Sequence, residues 1–224
     1  MEQLLFMSPR IIKTYIKERL EPSPKVPNKV ISGKINAGAV LVPFFCKKKQ
    51  LHIIMIKRSD KLTRNPGDMA FPGGSFEKTD NSWVDTALRE AKEEIGILPQ
   101  QIEVLGSLGE FPVASGKYRV ISIIAWLKSV NTLRPLTAET DFISAIPFRT
   151  FLDPSKYFTI YFHWGNIRQD YVRFFDTRKY TRNNIVWGMS AGIIRRFIDI
   201  MIPNHKLPAE DWVFITEQKQ MLID

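Results

Sequence analysis

Gly73-Gly-Ser-Phe-Glu-Lys-Thr-Asp-Asn-Ser-Trp-Val-Asp-Thr-Ala-Leu-Arg-Glu-Ala-Lys-Glu-Glu-Ile-Gly96 is the stretch of the 224-residue chain on which the fold turns. Asn81 or Ser82 can cap a helix over residues 82–95, and Asp85, three residues after Ser82, strengthens the start. Gly96 supplies the left-handed residue that ends it. At about 100° per residue, Val84, Ala87, Leu88, Ala91 and Ile95 form one apolar stripe, which must face a core. Glu90, Glu93 and Glu94 cluster on the far side, since positions three and four apart are helix neighbours. Three adjacent carboxylates repel one another, and Lys92 lies on a different face. A hard cation such as Mg²⁺ resolves that repulsion because it takes oxygen ligands. Spacing alone, however, is more simply read as an ordinary acidic face turned to solvent.

Outward from this helix the chain alternates strand-like and helix-like runs. Residues 35–45 and 51–57 are β-rich and joined by Lys47-Lys48-Lys49, which predicts a hairpin with a solvated tip. Ser59 to Asp68 is polar and irregular, and Met69-Ala-Phe-Pro-Gly-Gly74 leads into the helix as a glycine-rich loop. Further strands are expected near 102–112, 118–128, 158–163 and 170–175, with a short one at 185–187 and helices near 188–201 and 208–219. Such a mixture predicts an α/β fold, a mixed sandwich in one domain. Ser8-Pro9, followed by Ile11, Ile12, Tyr15, Ile16 and Leu20, predicts an N-terminal helix, and Glu21-Pro-Ser-Pro-Lys-Val-Pro27 a linker. The expected organisation is an N-terminal helix and linker (1–33), a main domain (34–203) and a C-terminal helical extension (204–224).

Composition bounds the function without naming it. The formal charge of +9 fits a phosphate-rich partner or a plain solvated surface. One cysteine, Cys46, excludes an internal disulfide, and its apolar neighbours predict a buried thiol. The charged N-terminus is too short in apolar residues for a signal peptide or a span, so a cytoplasmic protein is expected. Gly188-Met-Ser-Ala-Gly192 fits the pattern of a nucleophile elbow, but Asp199 and His205 lie on or just past the same predicted helix and would be carried away from Ser190. Small residues there are read as allowing close helix packing. His52, His163 and His205 are scattered and fit no metal spacing. The aromatics after residue 150 are read as core or interface.

Context lifts the carboxylate helix above its spacing. Gly74, Arg89-Glu90, Glu93-Glu94 and Gly96 resemble the signature of the Nudix hydrolase family, a glycine-led loop followed by a helix carrying Arg-Glu-x-x-Glu-Glu-x-Gly. Asp80 stands where the family usually has glutamate, and eight residues rather than the common seven separate it from Arg89. Asp80 and Glu77 are therefore both candidate partners of Arg89. The resemblance implies a Nudix-type α/β/α sandwich with a mixed β-sheet, and a Mg²⁺ or Mn²⁺ cofactor held by Glu90 and Glu94 ahead of Glu93. It also implies that Arg89 orients the carboxylates by ion pairing.

A second resemblance is to the coenzyme A diphosphatases of that family. Ile53-Ile-Met-Ile-Lys-Arg-Ser59, then Arg64, Gly67 and Phe71-Pro-Gly-Gly74, is similar to their extra upstream motif, with the arginine one residue late. This implies hydrolysis of coenzyme A to a phosphopantetheine and 3′,5′-adenosine bisphosphate, with Arg58, Arg64, Gly73, Gly74 and Lys117 binding substrate, and Lys61 a further charge partner. Glu94 and Glu139 are the candidate catalytic carboxylates, with Asp141 competing for the role of general base. ADP-ribose, NADH or dinucleoside polyphosphates remain alternative substrates on the same scaffold. A non-catalytic nucleotide- or RNA-binding domain is the alternative of another class. The expected partner is a small nucleotide, not a membrane or a nucleic acid, with a homodimer left open.

Overall fold

The computed structural model describes residues 8–27, 30, 36–112, 118–164, 167–205 and 212–215 of the chain. The larger sheet is organised around β1 (Asn36–Lys47), which pairs antiparallel with β2 (Gln50–Arg58) through the lysine hairpin. Lys48 and Lys49 turn that hairpin with positive φ, 49° and 62°. Downstream, β3 (Met69–Ala70) pairs with β2, and β4 (Gly73–Ser75) lies antiparallel on β1. β5 (Ile102–Pro112) pairs with β6 (Tyr118–Leu127), which runs parallel to β1, and β7 (Thr140–Pro147) closes on β2. One parallel ladder among antiparallel ones makes the sheet mixed.

Period-two alternation sends residues of each strand to opposite faces. Ala37, Ala39, Leu41 and Phe45 of β1 enter one core, and Val40, Val42 and Phe44 the other. The first face is covered by α2 (Trp83–Ile95) through Trp83, Ala87, Ala91 and Ile95. The second is covered by α1 (Pro9–Lys17) through Ile12 and Ile16, and by α3 (Gly188–Met201) through Ala191, Phe197 and Ile198. Burial of each large apolar side chain contributes about 1.5–3 kcal/mol, and strands covered on both faces must read as near-continuous apolar runs. The result is the expected α/β/α sandwich.

A smaller sheet of β8 (Tyr157–Trp164), β9 (Ile167–Phe175), β10 (Val186–Trp187) and β11 (Trp212–Ile215) has the order β10-β9-β8-β11. Tyr157 and Phe175 of this sheet join the second core, where Phe151 and Phe175 pack edge to face with centroids 5.2 Å apart. The side chains of residues 159–174, and with them several of the aromatics expected in the core, lie outside the described residues.

Several expectations change. Within the helix expected at 208–219, Trp212–Ile215 instead form β11, which runs parallel to β8; the rest of that helix lies outside the described residues. Trp-Val-Phe-Ile is aromatic and β-branched, and a strand edge on β8 meets its backbone groups. β7 went unread because polar Asp141 and Ser144 interrupt its apolar residues. The Gly73–Gly74 loop is itself a strand. The N-terminal helix packs into the main core, with the Tyr15 hydroxyl donating to Met201 O at 2.8 Å. The chain leaving it runs so close to β5 that a Cβ on Gly106 would lie 2.6 Å from Leu20 Cβ. Cys46 is half-buried rather than buried. Among the described residues no helix is long and apolar enough to cross a membrane.

Candidate active site

The first turn of α2 forms as its sequence demands. Ser82 Oγ accepts from the N–H of Asp85 at 3.1 Å, and the Asp85 carboxylate accepts from the N–H of Asn81 at 3.0 Å. Gly96, with φ 72°, ends the helix. The buried stripe is rotated from its sequence pattern: Trp83, Thr86 and Glu94 join it, while Val84 and Leu88 are only partly buried. Glu94 is 5% exposed, at the edge of the stripe, whereas Glu93 faces solvent and Glu90 is in between. The three glutamates are therefore not one solvent-facing patch.

The glycines explain how backbone comes this close to the helix. β4 is zipped onto β1, with Ala39 opposite Gly74 and Val40 opposite Gly73. A Cβ on Gly38 would fall 2.0 Å from Gly74 O, and one on Gly74 would fall 2.3 Å from Glu90 Oε1. Only side-chain-free backbone lets β1, β4 and α2 converge. The N–H of Gly73 then donates to Glu94 Oε2 at 2.9 Å.

Arg89 settles the question of its partner. Nε and Nη2 both donate to the Asp80 carboxylate at 3.1 Å, a bidentate pair, and Nη2 also donates to Ser75 O at 2.8 Å. Nη1 donates to Glu90 Oε1 at 2.9 Å and lies 3.6 Å from Glu77 Oε1 and 3.5 Å from Glu93 Oε2. Asp80 is buried, and its Oδ2 also accepts from Thr86 Oγ1 and the N–H of Glu77. Burial alone would raise the Asp80 pKa; the bonds from Arg89, Glu77 and Thr86 outweigh it and hold the carboxyl below its ordinary value. The Asp80 bonds, against some desolvation, and the Glu90 bond push the Arg89 guanidinium up, so it stays charged.

The carboxylates on the other side are pushed the opposite way. Burial, followed by repulsion from Glu90 and Glu139, raises Glu94 to about 7, against the Gly73 bond and Arg58. Burial also raises Glu90, with Glu93 and Glu77 adding to it and Arg89 opposing. Groups crowded in this way are stabilised by positive charge.

The approach runs over the end of β2. Arg58 is half-buried; its Nη2 donates to Arg64 O at 3.4 Å, and its Nε is buried without a hydrogen-bond partner among the described residues. Arg64, Lys61 and Glu139 are exposed. Glu139 reaches the site through its field on Glu94 and through its carbonyl, which accepts from the N–H of Ser59 at 2.7 Å. Lys117 lies outside the described residues. Asp141, the competing base, is paired with Lys57 at 3.1 Å. Two groups went unread in the sequence. The Tyr118 hydroxyl sits 3.0 Å from Ser75 Oγ beside the glycine strand. Lys57 is buried within an otherwise apolar run, Ile53-Ile-Met-Ile-Lys57, and that interruption was the available signal.

Among the described residues no three His, Cys, Asp or Glu side chains converge as a metal cage. Glu90 and Glu93 are instead directed to Arg89, and Glu94 to Gly73. The donor chemistry nonetheless fits a hard divalent cation: oxygen ligands only, on one helix, with Glu94 raised by burial and by Glu90, and Glu90 by burial and by Glu93, which positive charge would relieve. The nucleophile-elbow pattern is excluded by geometry: Ser190 is buried in α3 and Asp199 is paired with Arg195 at 2.8 Å. Close packing does not explain its glycines, since a Cβ on Gly188 or Gly192 would meet nothing within 4 Å; Gly188 turns the chain from β10 into α3 with φ 60°.

Residues 36–175 match the family model described as the NUDIX domain. An uncharacterised Nudix hydrolase, NudL, of Yersinia enterocolitica is 30% identical over 196 residues, covering 87% of this chain and 95% of that protein. NudL of Photorhabdus laumondii is 33% identical over 174 residues, covering 76% and 87%. Among solved structures, a MutT/nudix family protein from Enterococcus faecalis superposes with a TM-score of 0.52 at 17% identity, covering 88% of this chain and 76% of that one.

Proposed function

This chain belongs to the Nudix hydrolase family, a family of divalent-metal pyrophosphohydrolases, and we propose that the nucleoside diphosphate it hydrolyses is coenzyme A or a coenzyme A derivative. The products are a phosphopantetheine and 3′,5′-adenosine bisphosphate. The observation that carries the site is the convergence at one strand-helix junction of Gly73 on Glu94, Gly74 against Glu90, and Arg89 on Glu90.

Glu90, Glu94 and Glu93 would hold Mg²⁺ or Mn²⁺. When bound, such an ion supplies charge neutralisation for the diphosphate and acidifies water. The chain's own residues do the rest. Arg89, itself anchored on Asp80, fixes the Glu90 carboxylate in orientation. Gly73 N–H holds Glu94. Arg58, Arg64 and Lys117 take the substrate's phosphates, and Gly73 and Gly74 let it approach the backbone. Glu139, exposed and near enough to Glu94 to raise its pKa, accepts the proton of the attacking water, because Asp141 is occupied by Lys57. The unpartnered Nε of Arg58 and exposed Arg64 support a substrate with anionic groups beyond the cleaved linkage, as the 3′-phosphate of coenzyme A provides.

The test is one panel: coenzyme A, ADP-ribose, NADH and a dinucleoside polyphosphate, each with Mg²⁺ or Mn²⁺, the products separated by chromatography. Coenzyme A is expected to give the highest kcat/KM. Preferential turnover of another member would overturn the substrate and leave the family's chemistry standing.

A further inference from the structure

Lys57 is a charged side chain placed where the β2 pattern calls for an apolar one, and it is 8% exposed. β2 buries the stem, while the ammonium lies at the rim of the fold against partners that are themselves exposed, Asp60 at 73% and Asp141 at 51% of the side chain. Lys57 Nζ meets both Asp60 oxygens, at 2.9 and 2.8 Å, and Asp141 Oδ2 at 3.1 Å. Those two acids belong to different segments. Asp60 begins the approach that carries Arg64, and Asp141 follows directly on the loop that carries Glu139.

The surrounding backbone shows the same convergence. Lys57 lies opposite Met69 on one side and Phe142 on the other, at the end of β2 where the register shifts between Lys57 and Arg58. Immediately beyond, the N–H of Arg58 donates to Asp68 O at 2.9 Å and the N–H of Ser59 to Glu139 O at 2.7 Å. The approach segment folds back so tightly that a Cβ on Gly67, which has φ 74°, would lie 2.6 Å from Asp60 Oδ1. Any side chain at 67 would therefore press on the carboxylate that Lys57 holds.

We propose that Lys57 is a positioning residue, a strut joining the 59–68 approach to the start of β7 and the loop before it, so that Arg58, Arg64 and Glu139 sit at fixed separation over the carboxylate helix. It does not touch substrate, and it acts through the two segments it ties together. The proposal rests on the diphosphatase reading of Glu139 and the two arginines.

The experiment compares wild type, Lys57→Met, Lys57→Arg and Asp141→Asn for kcat, KM, thermal midpoint and hydrogen exchange at the Ser59 amide. Lys57→Met is expected to lower kcat by about tenfold or more at a temperature where it is fully folded, since a misplacement near 1 Å is worth up to about 10²-fold. Lys57→Arg, which keeps the charge, restores most of that loss. Asp141 is half exposed and its amide variant leaves the core untouched, so Asp141→Asn gives a smaller loss of kcat in a protein of unchanged thermal midpoint. Ser59 exchange accelerates in Lys57→Met and in Asp141→Asn. A Lys57→Met protein, or should it not fold an Asp141→Asn protein, with wild-type kcat and wild-type Ser59 protection overturns the strut. Absence of diphosphate turnover in the wild type overturns the proposed function instead, and the exchange comparison then decides the strut by itself.

Discussion

The N–H of Gly73 donates to Glu94 Oε2 at 2.9 Å, tying the start of β4 to the last turn of α2. The bond fixes a carboxylate whose burial is unfavourable to its charge, so the site is built with one acid held in place before any ligand arrives. Arg89 does the corresponding work for Glu90, and the two acids meet from adjacent turns of one helix.

Glu94→Gln keeps the shape and an oxygen to accept from Gly73, and removes the charge. Metal-dependent kcat should fall about 10²–10³-fold, the scale of losing one electrostatic partner of the reacting groups. At pH 8 the metal-free variant should melt at the same temperature as wild type or higher, because the buried charge is gone. A steady-state assay with a thermal melt checks both. Near-normal turnover in this variant would remove Glu94 from the metal set.

Stability of the metal-free protein should depend on pH through the same group. Glu94 titrates near 7 in the folded chain and near its ordinary 4.5 when unfolded. Between those values the native state holds the extra proton, so the stabilisation is complete below about 4.5 and lost as pH rises to about 7. Bound Mg²⁺ or Mn²⁺ competes with that proton. The rise in thermal midpoint on adding metal should therefore be larger at pH 8 than at pH 5.5; equal rises would detach metal binding from Glu94.

Much of this was readable in the chain because it follows local rules. The cap at Ser82, the stop at Gly96 and the alternating strands β1, β2, β5 and β6 depend on neighbours in sequence. What went unread depends on distant partners. β7 is a strand because β2 lies beside it, Gly73–Ser75 is a strand because β1 does, and Trp212–Ile215 pairs with β8 across fifty residues of chain. In the site, Arg89 and its glutamates could be placed by helical spacing. The choice of Asp80 over Glu77 as its bidentate partner, and the burial of Glu94, could not, because both are set by how α2 lies against β4.

Gly74→Ala tests that packing. The added carbon would sit 2.3 Å from Glu90 Oε1 and 2.5 Å from Cδ, so the carboxylate must move. Activity should fall about 10–100-fold through misplacement alone, with far-ultraviolet circular dichroism unchanged. Wild-type kcat/KM in a folded Gly74→Ala protein would mean Glu90 need not be where it is.

Arg89→Met should be the most destabilising change in the site. Asp80, with its side chain 3% exposed, would lose two of its four hydrogen bonds and its counter-charge. Breaking such a pair costs about 3 kcal/mol, read as a shift of the denaturant midpoint at constant slope. Arg89→Lys keeps the charge but not the fork, so it should recover only part of the stability and little of the activity. The Asp80 contribution is present above its ordinary pKa and fades only as pH falls below it, which keeps this loss separate from the Glu94 effect.

Glu139→Gln separates the two carboxylates offered as general base. Glu139 is exposed, lies in a loop tied to Ser59, and is felt by Glu94. If it accepts the proton, its amide should lower kcat about 10²–10⁴-fold, the usual worth of a positioned base, with KM and the metal-induced rise in thermal midpoint both retained. Glu94→Gln, by contrast, should remove the metal response together with the rate. Retention of kcat in Glu139→Gln would take the base from the loop and return it to the helix.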